Sequence, residues 1–227
     1  MQLDLTINSE TGHSTQRIDV MAFVIAGWAG RDKAAMEHHI AELEALGVTR
    51  PASTPVFYRA AAARLTTAAS IECTGTASSG EIETVIFAHG GALYVGVGSD
   101  HTDREVETYG ITVSKQMCDK PVSAHVWPFE EVAGHWDSLI LRSWIHEKGQ
   151  RVLYQEGSVA GLLDPRDVIG LYTDGAGLAD GTAIMGGTSP AIGGIRPSGR
   201  FEGELHDPVL GRSLHCAYDI VALPIAG

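Results

Sequence analysis

The sequence predicts a single α+β domain dominated by β-strands, and three observations carry that expectation. Twenty-seven glycines against nine prolines signal many tight turns. Short apolar runs, alternating or uniform and bounded by turn residues, recur along the chain. The clearest helical period is confined to Arg31 to Leu46. At 227 residues the chain can bury a substantial core. It shows no internal repeat, low-complexity segment or linker composition, so one domain over 1–227 is expected, with N-terminal strands in 1–26 and the main body in 27–227.

Taken in order, Leu3 to Ile7 alternates as a half-buried strand does, with a turn at Thr11-Gly12-His13 and a partner strand towards Val20. These strands are expected to form a short layer against the main body. Met21 to Ala26 is a buried apolar run stopped by Gly27-Trp28-Ala29-Gly30. In the helix, Met36, Ile40, Leu43 and Leu46 recur at helical spacing, Asp32 suits the N-terminal cap and Gly47 the stop. Val56 to Arg59 reads as a strand. Ala60 to Ala69 is open between helix and loop.

Glu81 to Phe87, His89-Gly90-Gly91 and Ala92 to Val97 make a strong hairpin signal. Pro121 to Pro128 is strand-like, and Phe129 to Asp137 can make two helical turns. Leu139 to Ile145 and Arg151 to Tyr154 form a second hairpin. Asp164-Pro165 opens a short helix as cap and first residue. A glycine-rich loop system from Gly175 to Gly194 surrounds a strand at Ala183 to Met185, and strands at Phe201 to Leu205 and Ser213 to Pro224 close the chain.

Composition excludes several functions. A 44% hydrophobic, 19% charged chain is globular. A net charge of -12 argues against binding a nucleic-acid backbone or an anionic membrane. No apolar run is long enough to span a bilayer, and the N-terminus lacks a secretory pattern. Cys73, Cys118 and Cys216 are odd in number and form no Cys-x-x-Cys pair, which argues against a disulfide framework or a zinc ribbon. The expected setting is the cytoplasm.

Candidate chemistry concentrates between Gly80 and Pro121. Glu81 and Glu83 are two apart in a strand, so both leave one face. Such a pair is either solvated or shares a cation or proton, and a hard divalent ion takes such oxygens. Asp100 ends the second strand of the hairpin these glutamates begin, with Asp103, Arg104 and Glu105 after it. Lys115 follows; near a metal it can neutralise an enolate, and otherwise it is an ordinary surface lysine. His39 and Glu42 lie one helical turn apart, as a water-activating pair or as a polar helix face. No serine-nucleophile elbow, dinucleotide loop or phosphate loop occurs.

In this order, the motifs resemble the fumarylacetoacetate hydrolase superfamily, and the chain is similar to a bacterial branch of it catalogued as a domain of unknown function. Glu81, Glu83 and Asp100 match its Glu-x-Glu pair and distant Asp, which are metal ligands there. Asp100 to Glu105 keeps the Thr and Arg of the superfamily's Asp-x-Thr-x-Arg-Asp run. Lys115 to Pro121 falls where a Lys-Ser-Phe-Asp segment closes on a proline, so Lys115 resembles the catalytic lysine. Gly187 to Gly193 resembles a substrate loop with one residue inserted, making Thr188 a candidate contact. Phe201 to Leu205 and Leu210-Gly211-Arg212 resemble the closing strand and turn. His39 and Glu42 match a lid pair in type and spacing, with His38 an equal choice for the histidine, and Arg59 stands at the place of a basic substrate-binding residue. Departures are a short Glu83-to-Asp100 connection, a missing asparagine-tyrosine pair, and Gln116-Met117 for Ser-Phe.

The resemblance implies a mixed β-sandwich roll with a lid helix, and commonly a homodimer. It implies Mg²⁺ or Mn²⁺ on Glu81, Glu83 and Asp100, catalysis by Lys115, His39 and Glu42, and substrate contacts from Arg59, Arg104 and Thr188. The implied substrate is a small anionic 2-oxo acid or 1,3-dicarbonyl acid. A hydrolase or lyase reaction is the first expectation. Hydration, dehydration or decarboxylation, or a catalytically silent binding protein, are the alternatives.

Overall fold

The structure, a computed structural model, describes residues 1–45 and 50–226, apart from the side chains at 35, 39, 42, 43 and 45. The expectations placed on Leu43, Leu46 and Gly47, and on the side chains of His39 and Glu42, lie outside the described residues.

The N-terminal hairpin pairs β1 (Gln2–Ser9) with β2 (Gly12–Asp19). β3 (Ala22–Gly27), α1 (Lys33–Ala45) and β4 (Val56–Ala60) follow. The stretch left open between helix and loop is a 3-10 turn (Ala62–Arg64) and a two-residue strand, β5 (Leu65–Thr66). Next come β6 (Ser70–Thr74), β7 (Ser78–Ser79), β8 (Ile82–His89), β9 (Ala92–Ser99) and β10 (Thr102–Asp103). Gly90 and Gly91, with φ of 62° and 74°, turn β8 into β9; two consecutive left-handed residues are what a tight hairpin turn requires. Two short helices follow, α2 (Arg104–Glu107) and α3 (Ile111–Met117), then β11 (Lys120–Pro121), β12 (His125–Pro128) and α4 (Phe129–Ala133). The second hairpin is β13 (Ile140–Glu147) with β14 (Gln150–Ser158). Asp164 caps α5 (Pro165–Thr173) by accepting the Arg166 N–H. β15 (Thr182–Met185), β16 (Arg200–Asp207) and β17 (Arg212–Leu223) complete the chain.

The described strands form an eight-stranded mixed sheet, β2-β1-β12-β9-β8-β15-β3-β4, and a five-stranded sheet, β14-β13-β16-β17-β6. Five strands separate β2 from β3 in the larger sheet, yet only Val20 and Met21 join them in sequence. Three Cα steps span at most about 11 Å, so the larger sheet must roll back on itself. The N-terminal hairpin is therefore a continuation of this sheet, through parallel pairing of β1 with β12, and not a separate layer. Ile18 of its outer strand is fully buried as a result.

Two cores follow from strand alternation. Val24, Ile86 and Val95 face the five-stranded sheet and meet Phe201, Leu205 and Tyr218. Phe23, Phe87 and Met185 face the inside of the roll and meet Leu5, Leu65 and Val126. No described helix is long and apolar enough to cross a membrane. Cys73, Cys118 and Cys216 are buried free thiols.

Candidate metal centre

The β8–β9 hairpin brings the three carboxylates together. Glu81 stands just before β8 and Glu83 within it, so both leave one face of the strand. Asp100 follows the last residue of β9, and its N–H donates to the Glu81 carbonyl at 2.9 Å. One oxygen from each of Glu81, Glu83 and Asp100 lies within 4.8 Å of the others.

Each carboxylate has its own support. The Gly187 N–H donates to Glu83 Oε2 at 2.9 Å. Arg104 lies 3.2 Å from Glu81 Oε1, donates to Glu107 Oε2 at 2.8 Å and to Ser79 Oγ at 2.7 Å. Asp100, fully buried, binds Lys115 through Oδ2 and Lys120 through Oδ1, the latter at 2.9 Å. Lys120 also donates to the His101 carbonyl.

These contacts set the charges. Burial, reinforced by Asp100, pushes the Glu83 carboxyl well above its ordinary range. Burial acts the same way on Asp100, but the Lys115 and Lys120 ammonium groups outweigh it and hold Asp100 below the usual carboxylate value. Burial works against the charge on Lys115, yet Asp100, Glu81 and Glu83 hold it above an ordinary lysine. The donor set fits a hard divalent cation: three carboxylate oxygens converge, two of the three groups are buried, and like charges this close need a shared cation or proton. The lysines on Asp100 do not preclude this, since a carboxylate offers about four lone-pair sites.

Glu81, Glu83 and Lys115 line a cavity of about 650 Å³. Thr188 lines it too, but its hydroxyl donates to the Ile82 carbonyl at 2.6 Å and accepts from Gln155 Nε2 at 2.8 Å. That hydroxyl is committed to holding the Gly187–Pro190 loop on β8. α1 contributes Met36 to the wall; His38 on this helix is exposed.

Two residues expected as substrate contacts, Arg59 and Arg104, do not line the cavity. Arg59 is exposed and reaches Tyr172 Oη at 3.4 Å, outside the cavity lining. Alternation along β4 turns its neighbour Tyr58 to the cavity instead, with the Lys115 ammonium 5.8 Å from the ring. Arg104 is also outside the lining, because its guanidinium is consumed by Ser79, Glu81 and Glu107. It positions a carboxylate. Lys120, Tyr58, Gln155 and Glu107 were not singled out from sequence. Lys120 alone carried a signal, a lysine directly before Pro121 at the end of the segment that opens with Lys115.

Comparison with known proteins places this geometry. Among solved structures, Cg1458 aligns with a TM-score of 0.64 at 12% identity, over 94% of this chain and 81% of that one. The yeast protein ynq8, a fumarylacetoacetate hydrolase family protein, aligns at 0.63 and 16% identity over 91% and 95%. A 2-keto-3-deoxy-D-arabinonate dehydratase complexed with magnesium and 2,5-dioxopentanoate aligns at 0.64 and 14% identity over 94% and 78%. At such identities the likeness establishes the fold, which is the β-rich roll of the fumarylacetoacetate hydrolase type. No curated protein sequence matches. The family profile described as "Protein of unknown function (DUF2848)" matches residues 26–218, and the chain belongs to that family.

Proposed function

We propose that the protein is a divalent-metal-dependent hydrolase or lyase acting on a small 2-oxo acid or 1,3-dicarbonyl acid. The observation that carries this reading is the convergence of Glu81, Glu83 and Asp100, with Glu81, Glu83 and the Asp100-bound Lys115 lining one cavity. Glu81, Glu83 and Asp100 would hold Mg²⁺ or Mn²⁺. Such an ion, when bound, supplies Lewis-acid polarisation of a carbonyl whose neighbouring carboxylate it also binds.

The chain's own residues do the rest. Arg104 and the Gly187 N–H fix the orientation of Glu81 and Glu83. Lys120 shares the charge of Asp100 with Lys115, so the Lys115 ammonium, held on that carboxylate at the cavity wall, can also face negative charge developing on the substrate. Thr188 and Gln155 hold the loop that forms one wall. α1 carries His39 and Glu42, the proposed pair for activating water, and already contributes Met36 to the cavity.

A turnover screen over acylpyruvates and other 2-oxo acids, with and without Mg²⁺ or Mn²⁺, tests the proposal. Metal-dependent turnover is expected, and Lys115→Ala and Glu83→Ala should each abolish it. Turnover that needs no metal, or that survives both substitutions, refutes it.

A further inference from the structure

Resting on that reading, we infer that the cavity takes a monocarboxylate with an apolar tail and disfavours a second carboxylate. Among the described residues, Lys115 is the only lysine or arginine that lines it, and Lys115 is already bound to Asp100. A distal carboxylate needs a cation to replace its water. The nearby arginines do not provide one. Arg31 follows the lining residue Gly30 but is paired with Asp137 and donates to the Leu162 carbonyl. Arg196 follows the lining residue Ile195 but is paired with Glu147 and donates to the Ile192 and Gly194 carbonyls. Arg59 and Arg104 are engaged as described above. Glu107 also lines the cavity, with its carboxylate paired to Arg104.

What the walls offer instead is apolar surface, from Trp28, Met36, Ile111, Leu162 and Ile195. The loop that starts at Gly187, on Glu83, runs outward to Ile195, which stays 55% exposed. Trp28 is held at φ 57°, in the left-handed region that large side chains avoid. It lines the cavity together with Tyr58. Strain of this kind persists where the surroundings enforce it, commonly at ligand sites. The volume of about 650 Å³ also falls within the range of cavities that take drug-sized ligands, and exceeds the needs of a three-carbon acid.

Charge balance agrees. With all three ligands ionised, as a bound cation requires, Glu81, Glu83, Asp100 and Glu107 stand against Lys115, Lys120 and Arg104, one negative charge in excess. A divalent cation makes that one positive charge, which one carboxylate cancels.

The test is titration calorimetry and thermal shift of the Mg²⁺-loaded and metal-free protein with pyruvate, 2-oxohexanoate and 2-oxoglutarate. A buried methylene contributes roughly fourfold in affinity. We expect 2-oxohexanoate to bind at least tenfold tighter than pyruvate, and 2-oxoglutarate no tighter than pyruvate. Trp28→Gly suits the left-handed backbone and removes the wall; it should narrow the 2-oxohexanoate-to-pyruvate ratio at least threefold. If 2-oxoglutarate matches 2-oxohexanoate, or Trp28→Gly leaves the ratio unchanged, the inference is overturned while the 2-oxo acid reading stands. If none of the three acids binds in a metal-dependent way, the 2-oxo acid reading falls, and this inference with it.

Discussion

Lys120 lies 2.9 Å beneath Asp100 with neither side chain exposed to solvent. A lysine is almost never fully buried unless paired. Parallel pairing of β11 with β5 places it there, and its ammonium donates a further hydrogen bond to the His101 carbonyl. Breaking a buried ion pair from one side leaves an uncompensated charge and costs about 3–5 kcal/mol. Lys115 stays on Asp100, so Lys120→Met should lose only part of that, about 1–3 kcal/mol, in urea denaturation. Asp100→Asn, which takes the partner from both buried lysines, should lose more than Lys120→Met. A single variant as stable as the wild type would show that the pair contributes nothing net.

The carboxylate cluster predicts a stability response to metal. An ion that binds only the folded state at a hundred times its Kd adds about 2.7 kcal/mol. For a domain of this size that is a Tm rise of about 5–10 °C. Mg²⁺ or Mn²⁺ should produce such a rise in differential scanning fluorimetry, and Glu83→Ala should remove it. An equal rise in the variant would place the ion elsewhere.

Gly98 controls how closely β9 approaches the segment carrying Lys120. A Cβ there would lie 2.8 Å from the Pro121 carbonyl oxygen and 2.9 Å from Val122 Cγ1. The obstacle is backbone and cannot swing aside. Gly98→Ala should thus cost about 1–3 kcal/mol, as overpacking does. Gly134 is the control: it is helical, at φ -72°, and a Cβ there meets nothing within 4 Å. Gly134→Ala should be neutral or stabilising by less than about 1 kcal/mol. If both variants behave alike, the close approach at Gly98 is not what matters.

The hairpin and the carboxylates were legible because local rules fix them. Gly90-Gly91 admits a tight turn, Glu81 and Glu83 share a strand face by alternation, and Asp100 needs only the end of β9. The roll of the large sheet was not legible, since pairing of β1 with β12 joins residues more than a hundred positions apart. Arg59 and Tyr58 show how thin the margin is: one step along a strand exchanges cavity for exterior. Arg104 shows another limit, because a cation's type and position in a motif do not say which carboxylate will claim it. Lys120 carried only its place before Pro121 as a signal. Its burial is a property of β5 and β9 folding around it.

Far from the cavity, Glu202 sets an acid limit on stability. On the outer face of the five-stranded sheet it accepts from Arg151 Nε at 2.7 Å and Arg200 Nε at 3.1 Å, with His146 Nε2 at 3.0 Å. Partial burial acts to raise its pKa, but these donors outweigh it and hold the carboxyl at about 2, below the ordinary 4.5. The folded state therefore binds fewer protons than the unfolded state between those values. Its contribution is complete above pH 4.5 and is lost as the pH falls towards 2. Discounted for solvent screening, the contribution is about 1–2 kcal/mol. Glu202→Gln should be less stable than the wild type by that amount at pH 5.5 in urea denaturation. The difference should shrink steadily as the pH is lowered to 2.5, and 0.5 M salt should shrink it at pH 5.5 as well. A gap that stays constant with pH would mean that Glu202 stabilises the sheet by packing and not by its charge.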